Sequence, residues 1–256
     1  MSAADLAAGP AGRVQRLWPD PDPRPLDAAA LAGCYPRTDG PTLRMNFVTS
    51  IDGAVTLDDR SEGLSGPGDK AVFGALRMVC DALVVAAGTV RTEGYRGLRL
   101  DGARREWRTA RGLPPYPLMV VVSGALDLDP AQGVFADAPV RPLVVTHAAA
   151  PADRRAAIGA VAEVLTVGTD AVDLTAMVAQ LHARGATQLL SEGGPRLFGA
   201  LTAAGLVDEV CLTVSPLLAG AGAGRITAGP PGPPRAMTLR HVLSADGALM
   251  LRYARH

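Results

Sequence analysis

The sequence predicts a three-layer α/β protein built on a mostly parallel central sheet, with an antiparallel hairpin at its C-terminus. Three observations carry that expectation. Short aliphatic runs, cleanest at residues 82–87 and 118–122, are unbroken in the way of strands covered on both faces. They alternate with helical stretches such as the amphipathic run at 172–183. The last two runs are separated by Asp246-Gly247, a two-residue hairpin signal.

In chain order, residues 1–41 are rich in Ala, Gly and Pro, and Pro19, Pro21, Pro23 and Pro25 exclude helix and central strand there. This stretch is expected to be a surface arm with one or two helical turns within 26–32. Residues 42–256 form the expected domain. It opens with a strand at 43–50, stopped by Asp52-Gly53. Gly66-Pro67-Gly68-Asp69 breaks the chain, with Gly68 or Asp69 as the cap of a helix running to Val79. Strands follow at 82–87, 118–122, 142–146 and, more weakly, 161–167. A helix at 172–183 stops at Gly185. A strand at 188–191 leads through Gly193-Gly194-Pro195 into a helix ending near Ala204. Strands at 209–214, 236–244 and 248–253 close the chain.

Composition narrows the function. The 256 residues carry 25 basic and 25 acidic side chains, a formal net charge of +0, which argues against nucleic-acid binding. Hydrophobic residues make up 48% and aromatic residues only 4%, so Val, Leu and Ala must fill the core. The apolar runs are far shorter than the roughly 18 residues a membrane span needs. The N-terminus lacks the pattern of a secretory signal. Cys34, Cys80 and Cys211 are scattered, and His147, His182, His241 and His256 show no ligand spacing, so neither a disulfide framework nor a metal site is expected. A reducing cytoplasm is the expected setting.

Four segments fall at strand ends, where open α/β sheets bind ligands. Ser50-Ile51-Asp52-Gly53 offers a carboxylate to orient or protonate a substrate, or a plain Asp-Gly turn. Gly88-Thr89-Val90-Arg91-Thr92-Glu93-Gly94 offers a close backbone approach, a hydroxyl and a phosphate-binding fork, or a connection with a Thr cap. Ser191-Glu192-Gly193-Gly194-Pro195 is half of a dinucleotide fingerprint, a helix start suited to a pyrophosphate, or a tight turn. Ser123-Gly124 suits an adenosine ribose or its 2′-phosphate, or is a loop. Two further features read as solvated loops: residues 220–224, and the arginines at 104, 105, 108 and 111. GxSxG, P-loop and Cys/His signatures are absent from the sequence.

Taken in order, several motifs resemble one known family. They are Ser50-Ile51-Asp52-Gly53, Leu64-Ser65-Gly66, Arg77 after Ala75-Leu76, and the run 81–90 ending in Ala87-Gly88-Thr89-Val90. After these come Ser191-Glu192-Gly193-Gly194-Pro195, Gly205-Leu206-Val207-Asp208-Glu209 and Ser215-Pro216-Leu217-Leu218-Ala219-Gly220. Over roughly residues 42–254 the chain resembles the pyrimidine reductase family of riboflavin biosynthesis, whose fold is dihydrofolate-reductase-like. The resemblance implies NADPH as hydride donor and a homodimer, often built through the sheet. Its usual substrate is 5-amino-6-(5-phosphoribosylamino)uracil.

The expected site combines that resemblance with the residues themselves. Asp52 and Glu192 are the catalytic candidates. Leu64, Ser65, Gly88, Thr89, Arg91, Glu93, Ser123, Gly193, Gly194, Pro195, Arg196 and Leu197 are expected to bind the cofactor, with Arg91 and Ser123 at its 2′-phosphate. Ser50, Arg77 and Arg99 are expected at the substrate. The chain departs from the family in two ways. It lacks the deaminase motifs of fused relatives, so a separate deaminase is expected. Its 91–99 segment replaces the usual Asp-Asp-Pro. That change leaves room for a paralogue reducing dihydrofolate or another pterin, or for a nucleotide-binding module without turnover.

Overall fold

The apolar runs pair into one 10-stranded sheet in the computed structural model, which describes residues 12–256. Residues 1–11 of the expected arm lie outside the described residues. The strands are β1 (Gln15–Trp18), β2 (Thr42–Thr49), β3 (Ala82–Ala86), β4 (Leu118–Val122), β5 (Leu143–Thr146), β6 (Glu163–Thr166), β7 (Gln188–Ser191), β8 (Glu209–Val214), β9 (Thr238–Ala245) and β10 (Ala248–Ala254). The helices are α1 (Ala28–Gly33), α2 (Pro67–Val79), α3 (Ala87–Glu93), α4 (Gly102–Thr109), α5 (Gly133–Ala136), α6 (Ala152–Val161), α7 (Leu174–Ala183) and α8 (Pro195–Ala203).

The strands lie in the order β1-β9-β10-β8-β2-β7-β3-β4-β5-β6. From β8 to β6 every pairing is parallel, while β10, β9 and β1 add antiparallel edges. The three-layer expectation follows from how side chains alternate. On β3, Leu83 and Val85 enter one core, and Ala82 and Val84 enter the other. α2, α5 and α6 seal the first core, and α7 and α8 the second. The hairpin turn has positive φ at both central residues, 51° at Asp246 and 78° at Gly247, which matches the twist of the flanking strands. No helix of the described residues is long and apolar enough to cross a membrane.

The structure corrects four expectations. The described part of the arm is not a tether: β1 pairs with β9, and Val14, Leu31, Ala32 and Tyr35 are buried in the first core. The start of α2 is not capped by Gly68 or Asp69; Gly66 is its N-cap and Pro67 its first residue. The connection after β3 has no Thr cap, because α3 starts at Ala87 and already contains Gly88 and Thr89. The arginine cluster is not a solvated loop but α4 and the residues after it, capped by Asp101. Hydrophobic periodicity could not reveal α4, because its buried anchor is a cation.

That cation, Arg108, is fully buried, and among the described residues no carboxylate pairs with it. It donates to the carbonyls of Pro114 at 2.7 Å, Met78 at 2.8 Å and Cys80 at 2.6 Å, tying α4 to the C-terminal end of α2. Arg108→Leu would leave these acceptors dry, and it is expected to lower stability by about 3 kcal/mol in urea titration. Arg105→Leu, on the exposed side of the same helix, is expected to cost less than about 0.5 kcal/mol.

Candidate active site

The strand order gathers the candidate segments. β7 lies between β2 and β3, so the carboxyl ends of β2, β7, β3 and β4 follow one another along one rim. That rim carries Asp52, then Glu192 with Gly193-Gly194, then Gly88-Thr89, then Ser123. The bonds continue past the ladder: Glu192 N–H donates to the Val84 carbonyl at 3.1 Å, and Ala86 N–H to the Gly193 carbonyl at 2.6 Å.

Glu192 is the best-held group on the rim. Arg77 of α2 donates Nε to Oε1 at 2.8 Å and Nη2 to Oε2 at 2.7 Å, a two-pronged ion pair. The Tyr95 hydroxyl donates to the same Oε2 at 2.6 Å. The Arg77 guanidinium lies 4.0 Å over the Phe73 ring and 5.6 Å from that of Tyr95. Burial opposes the charge on Arg77, but the Glu192 carboxylate outweighs it and raises the guanidinium pKa above its usual value. Burial, with Glu192 next, likewise raises the Tyr95 hydroxyl far above the usual phenol range. Tyr95 had no legible signal in the sequence.

The turn after Glu192 has no room for side chains. Gly193 has φ +81°, and a Cβ there would lie 2.3 Å from Phe47 Cζ. The Phe47 ring is stacked on Phe198 of α8. A Cβ on Gly194 would lie 2.7 Å from Thr89 Oγ1. The Gly193–Gly194 peptide is cis. Pro195 then starts α8, so the amides of Arg196 and Leu197 have no acceptor within the helix. Arg196 is exposed and Leu197 is buried in the second core. Gly88 faces open space on the side its Cβ would occupy.

Two further carboxyls sit in opposite settings. Asp52 is exposed and accepts from Ser50 Oγ, from Ala219 N–H at 3.1 Å and from Gly220 N–H at 2.7 Å. These donors, the hydroxyl first, hold its pKa down at about 2. Asp52 therefore pins the 216–220 loop to the end of β2. Ser50 is buried and serves this turn, also accepting from Ala54 N–H at 2.9 Å. Asp69, which the sequence suggested only as a cap, is a buried site carboxyl. Burial raises its pKa, and the hydroxyls of Ser65 and Thr213 only partly offset that, while nearby Glu192 adds to it.

The remaining candidates are dispersed. Leu64 is buried in a single helical turn at Glu62–Leu64, and Ser65 follows it with its hydroxyl on Asp69. Glu93 accepts from Ser61 N–H at 3.0 Å, which binds this segment to α3. Ser123 is buried at the end of β4. Arg91 reaches the Asp127 carbonyl at 2.5 Å. Arg99 reaches away from Glu192 to the Asp137 carbonyl at 3.0 Å, so it is not gathered with Arg77.

A glycine-paired helix start and the carboxyls of Asp52 and Glu192 at the rim of parallel strands suit a small-molecule site. Residues 41–251 match the RibD C-terminal domain, and the chain belongs to that family. It is 31% identical over 181 residues to the 2,5-diamino-6-ribosylamino-4(3H)-pyrimidinone 5′-phosphate reductase of Archaeoglobus fulgidus, covering 70% of this chain and 82% of that one. The enzyme of the same name from Methanothermobacter thermautotrophicus is 31% identical over 182 residues, covering 70% and 80%. A pyrimidine reductase-like protein from Corynebacterium diphtheriae superposes with a TM-score of 0.77 at 27% identity, covering 84% of this chain and 91% of that one. The riboflavin biosynthesis reductase Rib7 of Saccharomyces cerevisiae shares the fold, with a TM-score of 0.64 at 15% identity, over 90% and 99%. The architecture is thus the dihydrofolate-reductase-like one the sequence resemblance implied.

The glycines make a paired test of the rim. Gly193→Ala is expected to cost about 3 kcal/mol in urea titration, since both φ and Phe47 oppose a methyl group. Gly88→Ala, in a helix with open space beside it, is expected to leave stability unchanged or raise it by about 0.5–1 kcal/mol.

Proposed function

We propose that the chain is an NADPH-dependent reductase of a phosphoribosylamino-pyrimidine. The substrate is 5-amino-6-(5-phosphoribosylamino)uracil or the 2,5-diamino compound in its relatives' names. The observation that carries the reading is the end of β7. There a turn without Cβ atoms opens a helix, beside one ionised and one buried carboxyl. The residues fit a dinucleotide: the free amides of Arg196 and Leu197 and the dipole of α8 suit a pyrophosphate. Thr89 and the open side of Gly88 line the start of α3, with Glu93 at its end and Leu64 and Ser65 in the segment beside it. Arg91 and Ser123 are the candidates for the 2′-phosphate. When bound, NADPH supplies a hydride.

The reaction adds a hydride to the ribosyl C1′ and a proton to the ring oxygen freed as the C1′–O4′ bond opens. Asp52, ionised, favours the cationic imine electrostatically. Asp69, the carboxyl pushed toward its neutral form, gives the proton. Arg77 and Glu192 face the substrate as a rigid neutral pair. Asp69 is also the observation that favours a second reading, reduction of dihydrofolate or a related pterin, because that ring needs a carboxyl at its edge for binding and protonation.

NADPH oxidation with each substrate in parallel separates the two readings, the pyrimidine being supplied by a separate deaminase. Turnover of the pyrimidine alone is expected; turnover of dihydrofolate alone replaces the first reading by the second. An acid works while protonated, so turnover is expected to fall as pH rises through the raised Asp69 pKa. Asp69→Asn should lower turnover by roughly a hundredfold and remove that alkaline limb. An unchanged limb would remove Asp69 from this role.

We also propose a homodimer through the sheet. Directly paired residues share a face, so Val210, Leu212 and Val214 of β8 lie beside Leu249, Leu251 and Tyr253 of β10. Val242 and Trp18 extend the row. All are partly or fully exposed, Trp18 at 43% and Leu249 at 39%. The other face of these strands, with Cys211, Leu243 and Met250, is buried in the first core. A second copy covering this stripe would remove an apolar patch from water. Leu251→Glu is expected to turn a dimer into a monomer in analytical ultracentrifugation, and a wild-type monomer would refute the proposal.

A further inference from the structure

We propose that Tyr95 is a positioning residue whose hydroxyl fixes the Glu192 carboxylate and, through it, the β7–α8 turn. The kinetic half of this inference rests on the reductase reading; the structural half does not. Tyr95 lies two residues beyond the last residue of α3, and its hydroxyl reaches Glu192.

The contacts close a ring. Glu192 leads into Gly193-Gly194, and Gly194 abuts Thr89 Oγ1 in the first turn of α3. α3 ends at Gly94, where φ is +66° and the chain reverses. Tyr95 N–H then donates back to the Val90 carbonyl at 3.1 Å, and its hydroxyl returns to Glu192 Oε2 at 2.6 Å. One end of α3 therefore touches the glycine turn, and the other delivers the donor that holds the residue before it.

The two bonds from Arg77 to the carboxylate come from one side chain of α2. Tyr95 donates from the residue after the α3 C-cap, so it ties the carboxylate to a second segment of the chain. The strap behind it is anchored independently. Gly97 N–H donates to the Gly133 carbonyl at 2.9 Å, and Arg96 Nε to Asp137 Oδ2 at 2.8 Å. Gly97 packs so tightly there that a Cβ would lie 2.3 Å from the Asp137 carbonyl oxygen.

Tyr95→Phe removes the hydroxyl and keeps the half-buried ring beside Arg77; Tyr95→Leu removes both. Hydrogen exchange measured by mass spectrometry reads the turn without any substrate. In Tyr95→Phe the peptide covering 192–198 is expected to exchange several-fold faster, while β4 and β5 keep wild-type rates. In the reductase assay kcat is expected to fall roughly tenfold with KM unchanged, since misplacing a reacting group by about 1 Å is costly. Both variants should show the same loss of kcat even though Tyr95→Leu melts lower. The proposal is overturned by wild-type exchange at 192–198 in Tyr95→Phe, or by a loss of kcat that appears only in Tyr95→Leu and follows its melting temperature. Faster exchange in a wild-type background that turns over neither substrate would refute the reductase reading and leave the positioning role standing.

Discussion

Glu192 is held by the ends of two helices at the carboxyl end of the central strand, and the rest of the rim depends on that anchorage. Its charge is buried, so it needs Arg77; a buried carboxylate without a partner would be strongly unfavourable. Arg77 in turn needs α2 to pack flat on the sheet. Part of that packing is a close approach, since a Cβ on Gly68 would lie 2.4 Å from the Ala245 Cβ of β9. The carboxylate therefore couples the hairpin side of the sheet to the glycine turn that opens α8. Glu192 acts as a strut between α2 and the turn that opens α8.

The other two carboxyls divide the remaining chemistry by environment alone. Asp52 is solvated and ringed by donors, and it stays ionised. Asp69 is dry, has hydroxyl partners and feels Glu192 nearby, so its neutral form is favoured. Residues of one type are thus shifted in opposite directions, because one sits on a surface turn and the other inside the first turn of a helix.

Arginine does much of the structural work elsewhere. Arg108 satisfies three carbonyls where chain segments converge at the amino end of β3. Arg44 and Arg252 bracket the buried Glu209, whose carboxylate they hold below its usual pKa despite the upward push of burial. Arg252 also reaches the Cys34 carbonyl, which fastens the N-terminal segment to the hairpin. In a chain with a single lysine and few aromatics, planar guanidinium forks join elements that aliphatic packing alone would leave loose.

The sequence alone determined the strands from β2 onward and the helices α2, α7 and α8, but not α3, α5 or α6, which bury no more than two residues each. Period and punctuation are local properties, and residues 118–122, 188–191 and 209–214 match their strands end for end. It also pointed to Glu192-Gly193-Gly194-Pro195 as a helix start, because that run has a local physical meaning, and Pro195 does open α8. It could not show that residues 12–35 join the sheet and the core, since that segment's apolar residues follow no period and its partners lie more than 200 residues away. Nor could it show α4, whose buried face is Arg108, or separate Arg99, which turns to Asp137, from Arg77, which turns to Glu192. Tyr95 and Asp69 were beyond its reach for the same reason. A hydroxyl or a carboxyl takes its role from the groups packed around it, and only the placement of β7 between β2 and β3 brought those groups together.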